Sequence, residues 1–409
     1  MARPKKVSRT KIYVCSIIAL IVGLAIGMVG CVYFGNPDTY YIPSKVSGSS
    51  SNTEMGAINV DVVKEKDLSI HFVELGNKYT GDCTFINVGD IEILIDAGSR
   101  ASSVTPISNY INEYVDGALD YVIVTHAHQD HYAGFATSES QQSIFDLYDI
   151  RNVIEFAQTN QNASKGLYKN YLREKTELLA KTTASGTPVN IMTALDCVNG
   201  TNGASRTYNL SADVRLEILY HKFYEEDAHS ENDYSVVCQI VQGTGANAKY
   251  YLFTGDLEED GELSLIDGEA TKHNKNSGML HPVELYKAGH HGSKTSSSAQ
   301  FLSVIQPKHV CVCCCAGSSE YTKTNANQFP TQQFVDRISL HTEKVFVTSL
   351  CVNYNENNFT SMNGNIVVCR NTNEEETYVY CSNNTTLLKD TDWFKANRET
   401  PINWASSTA

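Results

Sequence analysis

Within the stretch Thr125-His126-Ala127-His128-Gln129-Asp130-His131, four side chains able to ligate a metal fall inside six positions. The chain has only 12 histidines in 409 residues, so three of them here point to ligation rather than to a polar loop. His126 and His128 stand two apart and project the same way from an extended strand end. Asp130 and His131 fall where the chain turns into a loop, which gives two neighbouring ligand sets. Imidazole nitrogen and carboxylate oxygen suit Zn²⁺ and also Mn²⁺ or Fe, so a pair of divalent cations, Zn or Mn, is the expected cofactor.

These side chains need rigid elements behind them. The apolar run Tyr121-Val122-Ile123-Val124 reads as a buried strand that delivers the cluster. Upstream, Leu68–Gly76, Cys83–Val88 and Ile91–Ile95 read as strands, the last ending in Asp96-Ala97-Gly98. Asp96 is either a turn former or a carboxylate that orients a ligand histidine by accepting its other N–H. Thr105-Pro106 opens a helix that carries Ile107, Tyr110, Ile111 and Tyr114 on one face and stops at Gly117. Strand, helix and strand in this order predict a layered α/β fold. Further on, Tyr250–Phe253 is a strand ending in Thr254-Gly255-Asp256, and Val283–Ala288 leads to Gly289-His290-His291-Gly292-Ser293. Taken alone, Asp256 is either a helix cap or a ligand.

His126-x-His128-x-Asp130-His131 resembles the HxHxDH signature of the metallo-β-lactamase superfamily. Leu94-Ile95-Asp96-Ala97-Gly98, Asn232-x-x-Ser235, Thr254-Gly255-Asp256 and His290-His291-Gly292-Ser293 follow in an order similar to the soluble domain of competence-type DNA-uptake proteins. The resemblance covers about residues 68 to 370 and implies an αββα sandwich with a dinuclear centre. It implies that His126 and His128 hold one metal, aided by Asn232 or Asp233 in place of a third histidine. Asp130, His131 and His290 then hold the other, and Asp256 bridges the two, with a shared water as nucleophile. Asp130 and His291 are the residues expected to act on the reaction, His291 by orienting a ligand or giving a proton to the leaving group. The family's Gly-Gln-Gly-Asp loop is replaced here by Gly76-Asn77-Lys78-Tyr79-Thr80-Gly81-Asp82, which has extra residues, and Phe329-Pro330 stands where the family has His-Pro. His221 and His229 are off the pattern and are expected at the surface.

Arg3, Lys5, Lys6, Arg9 and Lys11 form a basic tail, 1–11, ahead of an uncharged apolar segment, 12–34. A helix of that length spans ~34 Å, enough for a bilayer core. The charge bias keeps the N-terminus cytoplasmic and places the rest outside the cell membrane as a single-pass protein. A cleaved signal peptide, or lipid anchoring at Cys31 within Met28-Val29-Gly30-Cys31, gives the same side. Residues 35–57 read as a linker, 58–380 as the hydrolase domain and 381–409 as a polar tail. The net charge is −14; beyond the basic tail 27 basic side chains face 46 acidic ones, which excludes a general polyanion binder. Cys311, Cys313, Cys314 and Cys315 lie on one strand-like run without CxxC spacing and read as buried thiols.

The expectation is a membrane-anchored, extracellular, metal-dependent hydrolase of a phosphodiester, DNA or a nucleotide, with no stable protein partner beyond the membrane. The alternatives are a lactone or β-lactam hydrolase using the same metals, and a non-catalytic surface binding module.

Overall fold

The computed structural model describes residues 53–266 and 276–405. The basic tail, the apolar segment 12–34 with Cys31, and the linker as far as residue 52 lie outside the described residues. Among the described residues, no helix is long and apolar enough to cross a membrane.

Seven strands build most of the first sheet: β1 (Thr53–Ala57), β2 (Leu68–Phe72), β3 (Thr84–Val88), β4 (Ile91–Ile95), β5 (Ala118–Val124), β6 (Asp149–Glu155) and β7 (Asn190–Thr193). The second sheet holds β8 (Thr207–Asn209), β9 (Val214–Leu219), β10 (Val237–Gln242), β11 (Lys249–Phe253), β12 (Leu285–Lys287), β13 (His309–Ala316), β14 (Val345–Asn353) and β15 (Asn358–Ser361). The chain then returns to the first sheet with β16 (Ile366–Arg370) and β17 (Thr377–Cys381). The strand orders are β1-β17-β16-β2-β3-β4-β5-β6-β7 and β15-β14-β13-β12-β11-β10-β9-β8. The last residues of the expected linker are therefore not tether: β1 pairs in parallel with β17 at the sheet edge.

The two sheets form a mixed α/β sandwich because β2 buries both its faces. Phe72 meets Phe253 of β11 between the sheets, ring centroids 6.5 Å apart. On the opposite face of β2, His71 bonds Tyr110 Oη at 2.9 Å, which seats the helix Val104–Ile111 outside the sheet. Tyr171 of the helix Gly166–Leu179 donates to Glu155 of β6 at 2.7 Å on the same side. Helices Ala299–Ile305 and Gln332–Ile338 bury Phe301, Leu302, Phe334 and Val335 in a second cluster with β13 and β14.

The expected polar tail joins that cluster. Leu388, Phe394 and Trp404 are buried with it, and Trp404 Nε1 donates to the Thr342 carbonyl at 2.9 Å. Polar residues dominate the segment's composition, yet a few apolar anchors spaced along it suffice to dock it. The strand β13 is buried throughout and lies between β12 and β14. The described cysteines are all free, those of β13 among them.

Candidate metal centre

Parallel strands aim their C-terminal ends at one rim, where such sheets place ligands. β4 delivers Asp96, β5 delivers His126 to His131, β11 delivers Asp256, and β12 delivers Lys287, His290 and His291. Two tight backbone approaches hold the rim together. Gly255 has φ +54°, and a Cβ there would lie 2.9 Å from Ser235 and 3.0 Å from Thr125. A Cβ on Gly81 would lie 2.7 Å from the Asp130 carbonyl oxygen, so only glycine permits the Gly81 loop to close on the histidine motif.

The side chains from these four strand ends meet. His126 Nε2 and His128 Nδ1 face each other at 3.1 Å, and the His126 and His131 rings lie 4.2 Å apart. His131 Nε2 is 3.1 Å from Asp256 Oδ2. His291 Nε2 is 3.3 Å from both Asp130 Oδ2 and Asp256 Oδ2. The other nitrogen of each of these two rings is engaged behind the cluster. His131 Nδ1 donates to Asp96 Oδ2 at 2.7 Å, and His291 Nδ1 donates to the Cys313 carbonyl at 2.8 Å. Asp96 also accepts from the Thr125 N–H and hydroxyl, which fixes the carboxylate that fixes the ring.

His131 Nε2 and His291 Nε2 are both buried without a hydrogen-bond partner. Burying such an atom unpaired is costly, and here both point at carboxylate oxygens. Once deprotonated, these two nitrogens and the two carboxylates they face would make the donor set of a divalent cation, so the residues fit the metal that the sequence implies. Asp82, His131, Asp256 and His291 also offer ligand atoms within 4.8 Å of one another. Asp82, however, lies on the Nδ1 side of both rings, 3.6 Å from His131 Nδ1 and 3.3 Å from His291 Nδ1. It therefore backs the ligands, whereas Asp130 and Asp256 share their Nε2 side.

The sequence reading and the structure differ at the paired histidines. His290, expected as the last ligand, is partly exposed; its Nε2 is 3.9 Å from Asp256 Oδ2, and its Nδ1 faces Thr295 Oγ1 at 3.1 Å and Glu258 Oε1 at 3.4 Å. The buried His291 has the ligand geometry. Both residues have left-handed backbones, φ +45° and +55°, an arrangement that side-chain-bearing residues adopt only when their surroundings impose it. Asn232 stands beside His290, its Nδ2 donating to Glu258 at 3.1 Å, and its buried Oδ1 has no partner. His221 is not a surface residue: it is fully buried and its Nε2 donates to the Ser235 carbonyl at 2.8 Å. His229 is exposed.

Two side chains escaped the sequence reading. Lys287 is buried with its ammonium on the Asp82 carboxylate, 3.0 Å from the Gly255 carbonyl and 3.5 Å from Asp256 Oδ1. Asp256 thus turns Oδ1 to a lysine and Oδ2 to the histidines. Tyr321 donates to Asp130 Oδ2 at 2.5 Å from the loop after β13. The position of Lys287, three residues before His290 at the end of a strand, was the available signal for the first; Tyr321 had none.

Electrostatics separates the two halves. Burial and the neighbouring His131 and His128 rings hold His126 well below its usual pKa, so it presents a neutral lone pair. Burial disfavours charge on His131 as well, but the Asp256, Asp96 and Asp82 carboxylates outweigh it and push the pKa up to about 10. A divalent cation held there would have to displace that proton, so its binding would release a proton and tighten as pH rises.

Comparison with known proteins gives partial matches. Residues 76–140 match the family described as Metallo-beta-lactamase superfamily. It is 36% identical over 120 residues to competence protein ComA of Neisseria gonorrhoeae, a stretch covering 29% of this chain and 15% of that one. The chain thus aligns with under a sixth of that relative. Among solved structures it is similar to the metallo-β-lactamase fold protein YhfI from Bacillus subtilis, at 9% identity and TM-score 0.36 over 68% of this chain and 95% of that one. It is also similar to a long form RNase Z from yeast, at 11% identity and TM-score 0.38 over 69% of this chain and 40% of that one.

Proposed function

We propose that this chain is a dinuclear metal-dependent hydrolase of phosphodiesters, held at the outer face of a membrane by residues 12–34. The observation that carries the reading is the pair of unpartnered nitrogens, His131 Nε2 and His291 Nε2, turned onto Asp130 and Asp256 beside the His126–His128 pair. His131, His291, Asp130 and Asp256 would hold one cation; His126 and His128, with Asn232 nearby, would hold the other. Bound divalent cations activate water near neutral pH and draw charge from the oxygens of the substrate. The chain's own residues prepare for this. Asp96 and the Cys313 carbonyl fix the tautomers of His131 and His291, and Lys287 fixes one oxygen of Asp256. His290, at the mouth against Glu258 and Thr295, is placed to give a proton to the leaving oxygen.

The phosphodiester substrate rests on the competence-type likeness of the motifs and on the 120-residue match. The test is a panel on the full chain in detergent with Zn²⁺ or Mn²⁺: bis-p-nitrophenyl phosphate, a fluorescent oligonucleotide, nitrocefin and an acyl lactone. Turnover of the first two, abolished by EDTA, is the expected result. Turnover of nitrocefin or the lactone alone assigns the centre to acyl chemistry, and no metal-dependent turnover makes the chain a binding module.

A further inference from the structure

The loop that departs from the family pattern, Asn77 to Thr80, lies beside the metal centre. Its Tyr79 ring lies under the guanidinium carbon of Arg100 at 3.8 Å and meets the Tyr354 ring edge-on, centroids 6.1 Å apart. Lys78 Nζ reaches the Tyr354 carbonyl at 2.8 Å and sits 4.2 Å from that ring's centroid. Tyr354 follows β14 at the tip of its hairpin with β15 and is partly exposed. Arg100 joins this group to the motif: with its amide oxygen turned toward the arginine, Gln129 accepts from Arg100 Nε and Nη1 at 3.3 Å. Tyr321 joins it from the other side, 55% exposed with its hydroxyl on Asp130. Glu320, adjacent to Tyr321, ties the segments together by pairing with Arg100 at 2.7 Å and accepting from the Thr80 N–H at 2.9 Å.

Three tyrosines and two cationic side chains thus cluster beside Asp130, with Tyr321 in direct contact with it. Single-stranded nucleic acid is bound by this combination, because unpaired bases stack on aromatic rings while the phosphates between them meet Lys and Arg. A duplex hides its base faces and relies on a broad basic surface, which a chain of net charge −14 does not supply. We propose that Tyr354 and Tyr321, with Lys78 and Arg100, form a ledge that binds a single-stranded oligonucleotide and feeds it to the metal centre. This rests on the phosphodiesterase reading and names its substrate as an unpaired strand.

The test measures binding apart from turnover. The full chain carrying His128→Ala, which removes one imidazole of the first pocket, is titrated in detergent into fluorescein-labelled oligothymidylate of about 12 nucleotides. Fluorescence anisotropy is followed between 50 and 200 mM salt. Tyr354→Ser alone, and Lys78→Gln with Tyr354→Ser, are compared in that background, with thermal melts to show that each stays folded. The ledge predicts binding of the single strand at least tenfold tighter than of the matching duplex, and at least tenfold weaker binding by the double variant. It also predicts a log–log salt slope that is shallower by about 0.7, because Lys78 no longer neutralises a phosphate. No single-strand binding, equal binding of duplex, or a double variant that binds like its parent overturns it. Wild-type hydrolysis of bis-p-nitrophenyl phosphate, which has no base, tests the phosphodiesterase reading separately. Hydrolysis with unchanged anisotropy removes the ledge alone, and no hydrolysis with the predicted anisotropy removes the hydrolase alone.

Discussion

Lys287 of β12 and Asp82, in the loop that leads into β3 of the other sheet, form a buried pair, and the carboxylate that faces the histidines leans on it. Removing one partner of such a pair leaves the other charged and dry, at a cost of about 3–5 kcal/mol, whereas removing both is much milder. Lys287→Met should therefore lower the melting temperature sharply, and Asp82→Asn in the same chain should recover most of the loss; a double variant no more stable than Lys287→Met contradicts the pairing. Asp96→Asn is subtler. It keeps the shape but weakens the acceptor for His131 Nδ1, and metal affinity measured by competition with a chelator should fall about 10–100-fold. Unchanged affinity would mean that Asp96 serves the turn and not the ring.

At the scale of the element, β2 and the helix Val104–Ile111 meet through His71, whose nitrogens face Tyr110 Oη and Ser69 Oγ. Burial lowers the His71 pKa to about 3. The unfolded chain protonates this ring below about pH 6.5 while the folded one stays neutral. Its contribution is therefore complete above pH 6.5 and is lost as pH falls toward 3. By pH 5 the loss is about 2 kcal/mol. Denaturant titrations of wild type and His71→Phe at pH 7 and 5 should diverge by that amount, the variant being less sensitive to pH. The same element shows what sequence can reveal. Apolar runs such as Tyr121–Val124 and alternation such as Leu68-Ser69-Ile70-His71-Phe72 identify strands, and ligands clustered within six positions identify the centre. That His291 is buried against Asp130 and Asp256 while His290 stays partly exposed was hidden because adjacent residues differ only in how two left-handed backbones aim them. Asp82 and Lys287 were hidden because their pairing exists only after two sheets pack. His221 was misplaced because a polar side chain at the end of β9 gives no sign that a carbonyl from Ser235 awaits it.

At the scale of the whole molecule, the C-terminal segment belongs to the sandwich. Trp404 fills the second cluster, and Trp404→Ala should cost about 3–5 kcal/mol in a denaturant titration; a loss below about 1 kcal/mol would show that the segment merely rests on the surface. Everything proposed for function requires that the converging strand ends hold two cations, one of them on His131 and His291. The most direct test is metal content per chain, by mass spectrometry of the dialysed full-length protein, for wild type, His291→Ala and His290→Ala. Two divalent cations in wild type, about one in His291→Ala and two in His290→Ala is the predicted result. A wild-type chain without metal, or a loss confined to His290→Ala, would contradict it.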